Sequence, residues 1–287
     1  MVNGSKAILI GCKVETDYAV NYINSHLLIK YPIANSIDLR RDKIAIKAQH
    51  EPNNTPASEM RLKGRAVKPK DAATLIIVRR DSEQPKILMG KRAAGHKFMP
   101  NKYVFPGGKV DAGDSRIRPP NDLHPSVLKR LMKGCSESRA RSLALAAIRE
   151  TFEETGLILG EADSVTITSR SAQWKAFLQH GINPRLDSLN VIARAITPPY
   201  RNRRFDTRFF MVEADLIKGD VHAASKGSGE LLALHWVSLR DAEQLELPVI
   251  TGMILKEVQQ RLDNGDSPDI EGPFIHFRNG KPIIEKI

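Results

Sequence analysis

The segment from Ser138 to Thr155, SRARSLALAAIRETFEET, constrains this chain more than any other. Wound as a helix at about 100° per residue with Glu150 as origin, Glu153 falls near ~300° and Glu154 near ~40°. Leu145, Ile148 and Phe152 gather on the other flank, between roughly 160° and 220°. One flank therefore needs an apolar layer to cover it, and the opposite flank carries three carboxylates. Gly156 stands where a left-handed residue would end the helix, and Leu157-Ile158-Leu159 resumes an apolar run.

Three carboxylates at i, i+3 and i+4 repel one another unless something cationic sits among them. Two readings follow. In one the face is solvated and Arg149 pairs with Glu153 one turn on. In the other the cluster is an oxygen-only donor set, which suits Mg²⁺ or Mn²⁺ rather than Zn²⁺. Upstream lies FPGGKVDAGD (105 to 114), a glycine turn carrying its own acids, Asp111 and Asp114.

Strand signals surround this helix. TLIIV (74 to 78) and KILMG (86 to 90) are apolar runs separated by a polar turn and predict a hairpin. YVF (103 to 105) runs into Pro106 and the pair Gly107-Gly108. NVIARAI, TRFFMVEADL (207 to 216) and LLALHWVSL (231 to 239) read as further extended segments, with helices around AQWKAFLQHG and from Gly252 to about Asp263. The Asn-Gly pair in PFIHFRNGKPII predicts a C-terminal hairpin. Strands interspersed with a few flanking helices place the chain in the α+β class.

The first 65 residues show no clear period. A segment from Asp17 to Tyr31 could be helical, and QHEPNNTPASE (49 to 59) reads as linker. The expected division is therefore a poorly ordered extension over 1–65 and one domain over 66–287. No run of about 18 apolar residues occurs, which predicts no membrane span and no secretory leader. Two cysteines, Cys12 and Cys135, cannot build a disulfide framework and appear outside the core, so the cytoplasm is the expected compartment.

The formal charge of +11 is unevenly spread. Residues 1–70 carry +6 and residues 115–148 carry +5, which leaves the remainder neutral. That pattern favours local attraction of an anionic small molecule over a basic groove for nucleic acid.

Gly108, an acid at Asp114, and Arg149-Glu150-Thr151-Phe152-Glu153-Glu154-Thr155-Gly156-Leu157 together resemble the Nudix box, G-x5-E-x7-R-E-U-x-E-E-x-G-U. The second half matches at every charged position. Three departures stand out: aspartate replaces the first glutamate, residues 115–148 occupy a place where seven residues are usual, and Thr151 takes an aliphatic position. The long insertion, preceded by GHKFMPNKYVFPGG, is similar to the branch that includes the peroxisomal coenzyme A diphosphatases and their bacterial relatives. The resemblance runs from about Asp71 to Leu262.

The resemblance implies the Nudix fold, an α/β/α sandwich around a mixed β-sheet with an insertion at about 115–138. It also implies hydrolysis of a diphosphate linkage in a nucleoside diphosphate derivative, coenzyme A or acyl-coenzyme A first, with Mg²⁺ or Mn²⁺. The alternatives are another such derivative (ADP-ribose, a dinucleotide cofactor, a capped RNA end) or a non-catalytic binding or regulatory module. Carried over by position, Glu150, Glu153 and Glu154 hold the metal, Gly107 and Gly108 face the substrate, and Arg149 orients the glutamates through Asp114. Relatives add a glutamate from a later loop, for which Glu230 is the candidate here, with a polar strand-start residue as the plain alternative.

Among the remaining residues, Arg92 lies before the AGHKFMP loop with Lys91 and His96. Arg204 and Arg208 belong to a cluster with Arg201 and Arg203. Arginine suits phosphate through its forked donors, and a solvated loop explains such a cluster equally well. Trp174 and Trp236 read as core or pocket wall. Expected partners are a small nucleoside diphosphate derivative and, in keeping with variable relatives, a homodimer, with neither membrane nor nucleic acid.

Overall fold

The computed structural model describes residue 60 and residues 64–95, 99–218 and 231–287. The expected helix from Asp17 to Tyr31, the linker at 49 to 59, Cys12, His96 and Glu230 lie outside the described residues.

Element order is β1 (Lys70–Arg79), β2 (Lys86–Arg92), β3 (Tyr103–Val104), β4 (Gly107–Lys109), α1 (Pro125–Met132), α2 (Glu137–Thr155), β5 (Ile158–Glu161), α3 (Ala172–Leu178), β6 (Asn183–Pro184), β7 (Asn190–Ile196), β8 (Phe205–Glu213), β9 (Ile217–Lys218), β10 (Leu231–Ser238), α4 (Leu239–Ala242), α5 (Val249–Asn264), β11 (Pro273–Arg278) and β12 (Lys281–Lys286). Among the described residues one nine-stranded sheet runs β10-β2-β1-β8-β7-β11-β12, with β3 on β2 and β4 on β1. The pairs β1–β8 and β7–β11 are parallel and the others antiparallel, so the sheet is mixed. A second sheet, β6-β5-β9, lies beyond the end of α2.

β1 explains the layering. Its run is almost wholly apolar because both faces are covered. Ala73, Leu75 and Ile77 pack into the layer that holds Leu143, Ala144 and Ile148 of α2. Ile76 and Val78 pack into the opposite layer with Ile254, Leu255 and Val258 of α5. The result is the expected α/β/α sandwich.

The hairpin of β1 and β2 and the C-terminal hairpin of β11 and β12 match expectation, the latter turning through Asn279 (φ 52°) and Gly280 (φ 73°). Two expectations change. α2 is not one-sided, because Leu143 to Arg149 are all buried, with α1 and α3 flanking the face left free by the sheet. The 115–148 stretch builds α1, over the PSVLKRLM run, and the first half of α2. Arg130 fastens α1, donating from Nη1 to Val191 O (2.7 Å) and Ile270 O (2.6 Å), and from Nη2 to Asn190 Oδ1 and Pro268 O (2.8 Å each). Finally, Cys135 is half-buried against the core rather than outside it, with its thiol donating to Leu131 O (3.4 Å).

Candidate active site

Two local features place the carboxylates. α2 starts on Ser136, whose hydroxyl oxygen accepts from the Arg139 N–H, and it stops at Gly156 in the left-handed region (φ 74°). β4 lies antiparallel to β1 with Gly108 opposite Ala73, which brings the glycine turn over the last turns of α2. A Cβ on Gly108 would run into the Glu150 carboxylate, whereas one on Gly107 would run into the backbone of Ala73 and Thr74. The two glycines thus serve different ends, the first making room for a side chain and the second for the sheet itself.

Arg149 is the hub. Its Nε donates to Asp114 Oδ1 (2.8 Å), and its Nη2 to Asp114 Oδ2 (3.1 Å) and Lys109 O (2.8 Å). Its Nη1 donates to Glu150 Oε1 (3.0 Å) and Glu153 Oε1 (2.9 Å). Glu154 points instead at the turn, its Oε2 accepting from the Gly107 N–H (2.8 Å). Exposure is graded along this cluster: side chains of Asp114 and Arg149 are 0% and 4% exposed, those of Glu150 and Glu153 18% and 29%. The structural pair is dry and the acids beyond it meet the cleft. Burial works against the Arg149 charge, but its hydrogen bond and charge pairing with Asp114 outweigh it and hold its pKa above the ordinary value. Burial raises the pKa of Glu150, with Glu153 adding to the shift and Arg149 opposing it.

These acids border a cleft of about 700 Å³. Its floor is Ala72 and Thr74 of β1 with Phe205, Thr207 and Phe209 of β8, and Lys70, Arg92 and Arg203 supply positive charge around it. Negative charge at one end faces positive charge on the walls, an arrangement that accepts a polyanion together with a cation.

Glu150, Glu153 and Glu154 offer only oxygen donors, the kind that suits a divalent ion, and a glycine stands where a larger residue would block Glu150. Among the described residues no three acidic, histidine or cysteine side chains are already gathered at metal-binding distance. The Arg149 Nη1 occupies the charge-compensating position between Glu150 and Glu153. Releasing that contact would leave Arg149 its three bonds to Asp114 and Lys109.

The arginine predictions divide. Arg92 lines the cleft. Arg204 does not, because its guanidinium is spent on Thr197 O and Val67 O (2.8 Å each). Arg208 is corrected outright: it is 2% exposed and binds Asp71 Oδ1 (3.1 Å) and Asp206 O (3.0 Å). The alternation of β8 sends Phe205, Thr207 and Phe209 to the cleft and Arg208 to the other face. Arg203, just outside the strand, takes the cleft position instead. Trp174 is fully buried, and Trp236 packs under Arg79 (4.7 Å). Lys70 and the β8 floor were missed, although the period of two in FDTRF could have marked the floor.

No family model matches the chain. Nudix hydrolase 7 of Caenorhabditis elegans is 27% identical, over 60% of this chain and 52% of its own length. Acyl-coenzyme A diphosphatase NUDT19 of Xenopus laevis is 26% identical, over 50% of this chain and 56% of its own. The chain thus spans about half the length of these curated relatives. A NUDIX hydrolase structure from Alicyclobacillus acidocaldarius superposes with a TM-score of 0.49 at 26% identity, covering 66% of this chain and 90% of that one. The chain is thus similar to Nudix hydrolases, and the turn and helix of its Gly108 to Gly156 motif meet around one arginine.

Proposed function

We propose that this chain is a divalent-metal-dependent hydrolase that cleaves the diphosphate linkage of a nucleoside diphosphate derivative, with coenzyme A or an acyl-coenzyme A as substrate. The observation that carries the proposal is the meeting of Glu150, Glu153 and Glu154 with the Gly107–Gly108 turn at one end of a cationic cleft. The name of the Xenopus relative supports the substrate class.

In this reading Glu150, Glu153 and Glu154 hold Mg²⁺ or Mn²⁺, which when bound would polarise phosphate oxygens and lower the pKa of a coordinated water. Arg149, fixed by Asp114, aims the glutamates. Lys70, Arg92 and Arg203 neutralise the remaining phosphate charge and hold the substrate in place. Glu154, tied to the Gly107 amide, keeps the turn against the helix. Glu230 retains its proposed part as a further acid, and it lies outside the described residues.

The test is a product screen of coenzyme A, acetyl-coenzyme A, ADP-ribose, reduced dinucleotides, capped RNA and diadenosine polyphosphates, with Mg²⁺ and Mn²⁺ in parallel. Cleavage of the coenzyme A compounds to a 4′-phosphopantetheine product is expected. Preference for another substrate would replace the proposed class. Binding without turnover of any would favour a non-catalytic module.

A further inference from the structure

The floor of the cleft continues past its charged end. Four strand pairings place Lys109, Ala72, Thr207, Ala195 and Ile275 in one row across β4, β1, β8, β7 and β11. At roughly 4.8 Å per strand the row is about 19 Å long. Lys109 and Ala72 line the cleft beside the glutamates, Thr207 lines both the cleft and an adjoining lobe, and Ala195 and Ile275 line the lobe alone.

The lobe, of about 110 Å³, differs in chemistry from the cleft. Ile196, Pro198, Met253 and Phe277 join Ala195 and Ile275 around it, with Phe205, Phe209 and Ile250 forming the shared passage. Among the described residues no charged side chain lines it, against five cationic ones in the cleft: Lys70, Arg92, Lys109, Arg149 and Arg203. A ligand that fills both has a diphosphate at one end and an apolar group at the other. The connecting arm spans the three to four strand spacings from β4 to β7 and β11, about 14–19 Å. ADP-ribose and dinucleotides end in polar rings and do not match this division.

We infer that the lobe between β7, β11 and α5 binds the apolar tail of the substrate, so that the enzyme selects a diphosphate carrying a short acyl chain on a long arm. This rests on the reading of the cleft as the diphosphate site. Each methylene taken into the lobe strengthens binding about fourfold, the equivalent of ~0.8 kcal/mol, until the lobe is full.

The experiment uses the full chain and two readouts: calorimetric affinity without added metal, and kcat/KM with Mg²⁺. Ligands are coenzyme A and its acetyl, butyryl, hexanoyl and octanoyl thioesters. Affinity is expected to climb about fourfold per methylene over the shorter chains and then level off. Ala195→Phe fills the lobe and should flatten the climb, and Met253→Ala enlarges it and should move the plateau to longer chains. Circular dichroism checks the fold of both variants. A flat affinity series in the wild type, or a climb that survives in folded Ala195→Phe together with an unmoved plateau in folded Met253→Ala, overturns the inference. If the affinity pattern is as expected but no thioester is hydrolysed, the lobe stands and the proposed reaction falls.

Discussion

The Trp174 indole N–H donates to Asp114 Oδ1 at 2.9 Å, on the same oxygen that receives Arg149 Nε. Asp114 Oδ2 also accepts from the Asp111 N–H (2.7 Å), so the shorter acid at this box position is fully bonded and fully buried. Asp114→Asn would leave Arg149 without its buried counter-charge and should cost about 3–5 kcal/mol. Restoring the family's residue is not benign either. Asp114→Glu forces a methylene against Trp174 and should cost ~1–3 kcal/mol, measurable by urea denaturation; a variant as stable as wild type would show that the site has slack.

The paired glycines should fail differently. In Gly108→Ala the new methyl displaces the end of Glu150, a flexible group, so turnover should drop at least about tenfold while Tm moves by only a few degrees. In Gly107→Ala the collision is with backbone at φ 152°, so the protein should lose most of its stability. Parallel melting and activity curves separate the two.

Glu153→Gln should reduce turnover at least about a hundredfold with near-native melting. Activity close to wild type would remove Glu153 from the metal site.

The raised pKa of Glu150 gives a signed pH effect. Its native pKa lies above its unfolded one, so the metal-free native state binds the extra proton. Its contribution to stability is therefore fully present below the unfolded pKa and is lost as pH rises through the native pKa. Glu150→Gln, which cannot ionise, should melt above wild type at neutral pH without metal, and the gap should close toward pH 4. Saturating Mg²⁺ should narrow the gap at neutral pH, since the wild type, with all three carboxylates, gains more from it.

Arg203 and Arg208 test the strand alternation. Arg203→Ala should raise KM about tenfold, a loss of ~1.4 kcal/mol of binding, and leave melting unchanged. Arg208→Ala should lower stability by about 1–3 kcal/mol. That loss is limited because Arg139 stays on Asp71 and Arg194 on Asp206.

Thr151 takes the aliphatic box position and is 1% exposed, with its hydroxyl making no hydrogen bond. Thr151→Val keeps the shape and removes the unpaired group, so it should be neutral or stabilising by up to ~1–2 kcal/mol. A clear destabilisation would mean that the hydroxyl has a partner, such as an ordered water.

How much of this was legible follows from range. Helix α2, its glycine stop and the pairing of Arg149 with the acids are set by residues one or two turns apart, and the sequence displays them directly. The Gly108 to Glu150 approach was legible only as a family spacing, because nothing local says that β4 lies over α2. The fate of Arg208 was hidden in strand register: FDTRF shows which residues alternate but not which face meets the cleft. The order contributed by α1 depends on Arg130 finding carbonyls of Val191, Pro268 and Ile270, contacts that no local pattern encodes.

The parallel pairing of β1 with β8, from Lys70 opposite Phe205 to Val78 opposite Glu213, builds the cleft floor from distant parts of the chain. On a ribosome adding about 5–20 residues per second, β1 therefore waits many seconds for that partner. During this interval the nascent Leu75–Val78 run has β2 and the β4 turn beside it and an open edge on the other side. Such an edge invites strand addition from other chains, which makes the newborn protein a natural client for chaperones until Glu213 has left the exit tunnel.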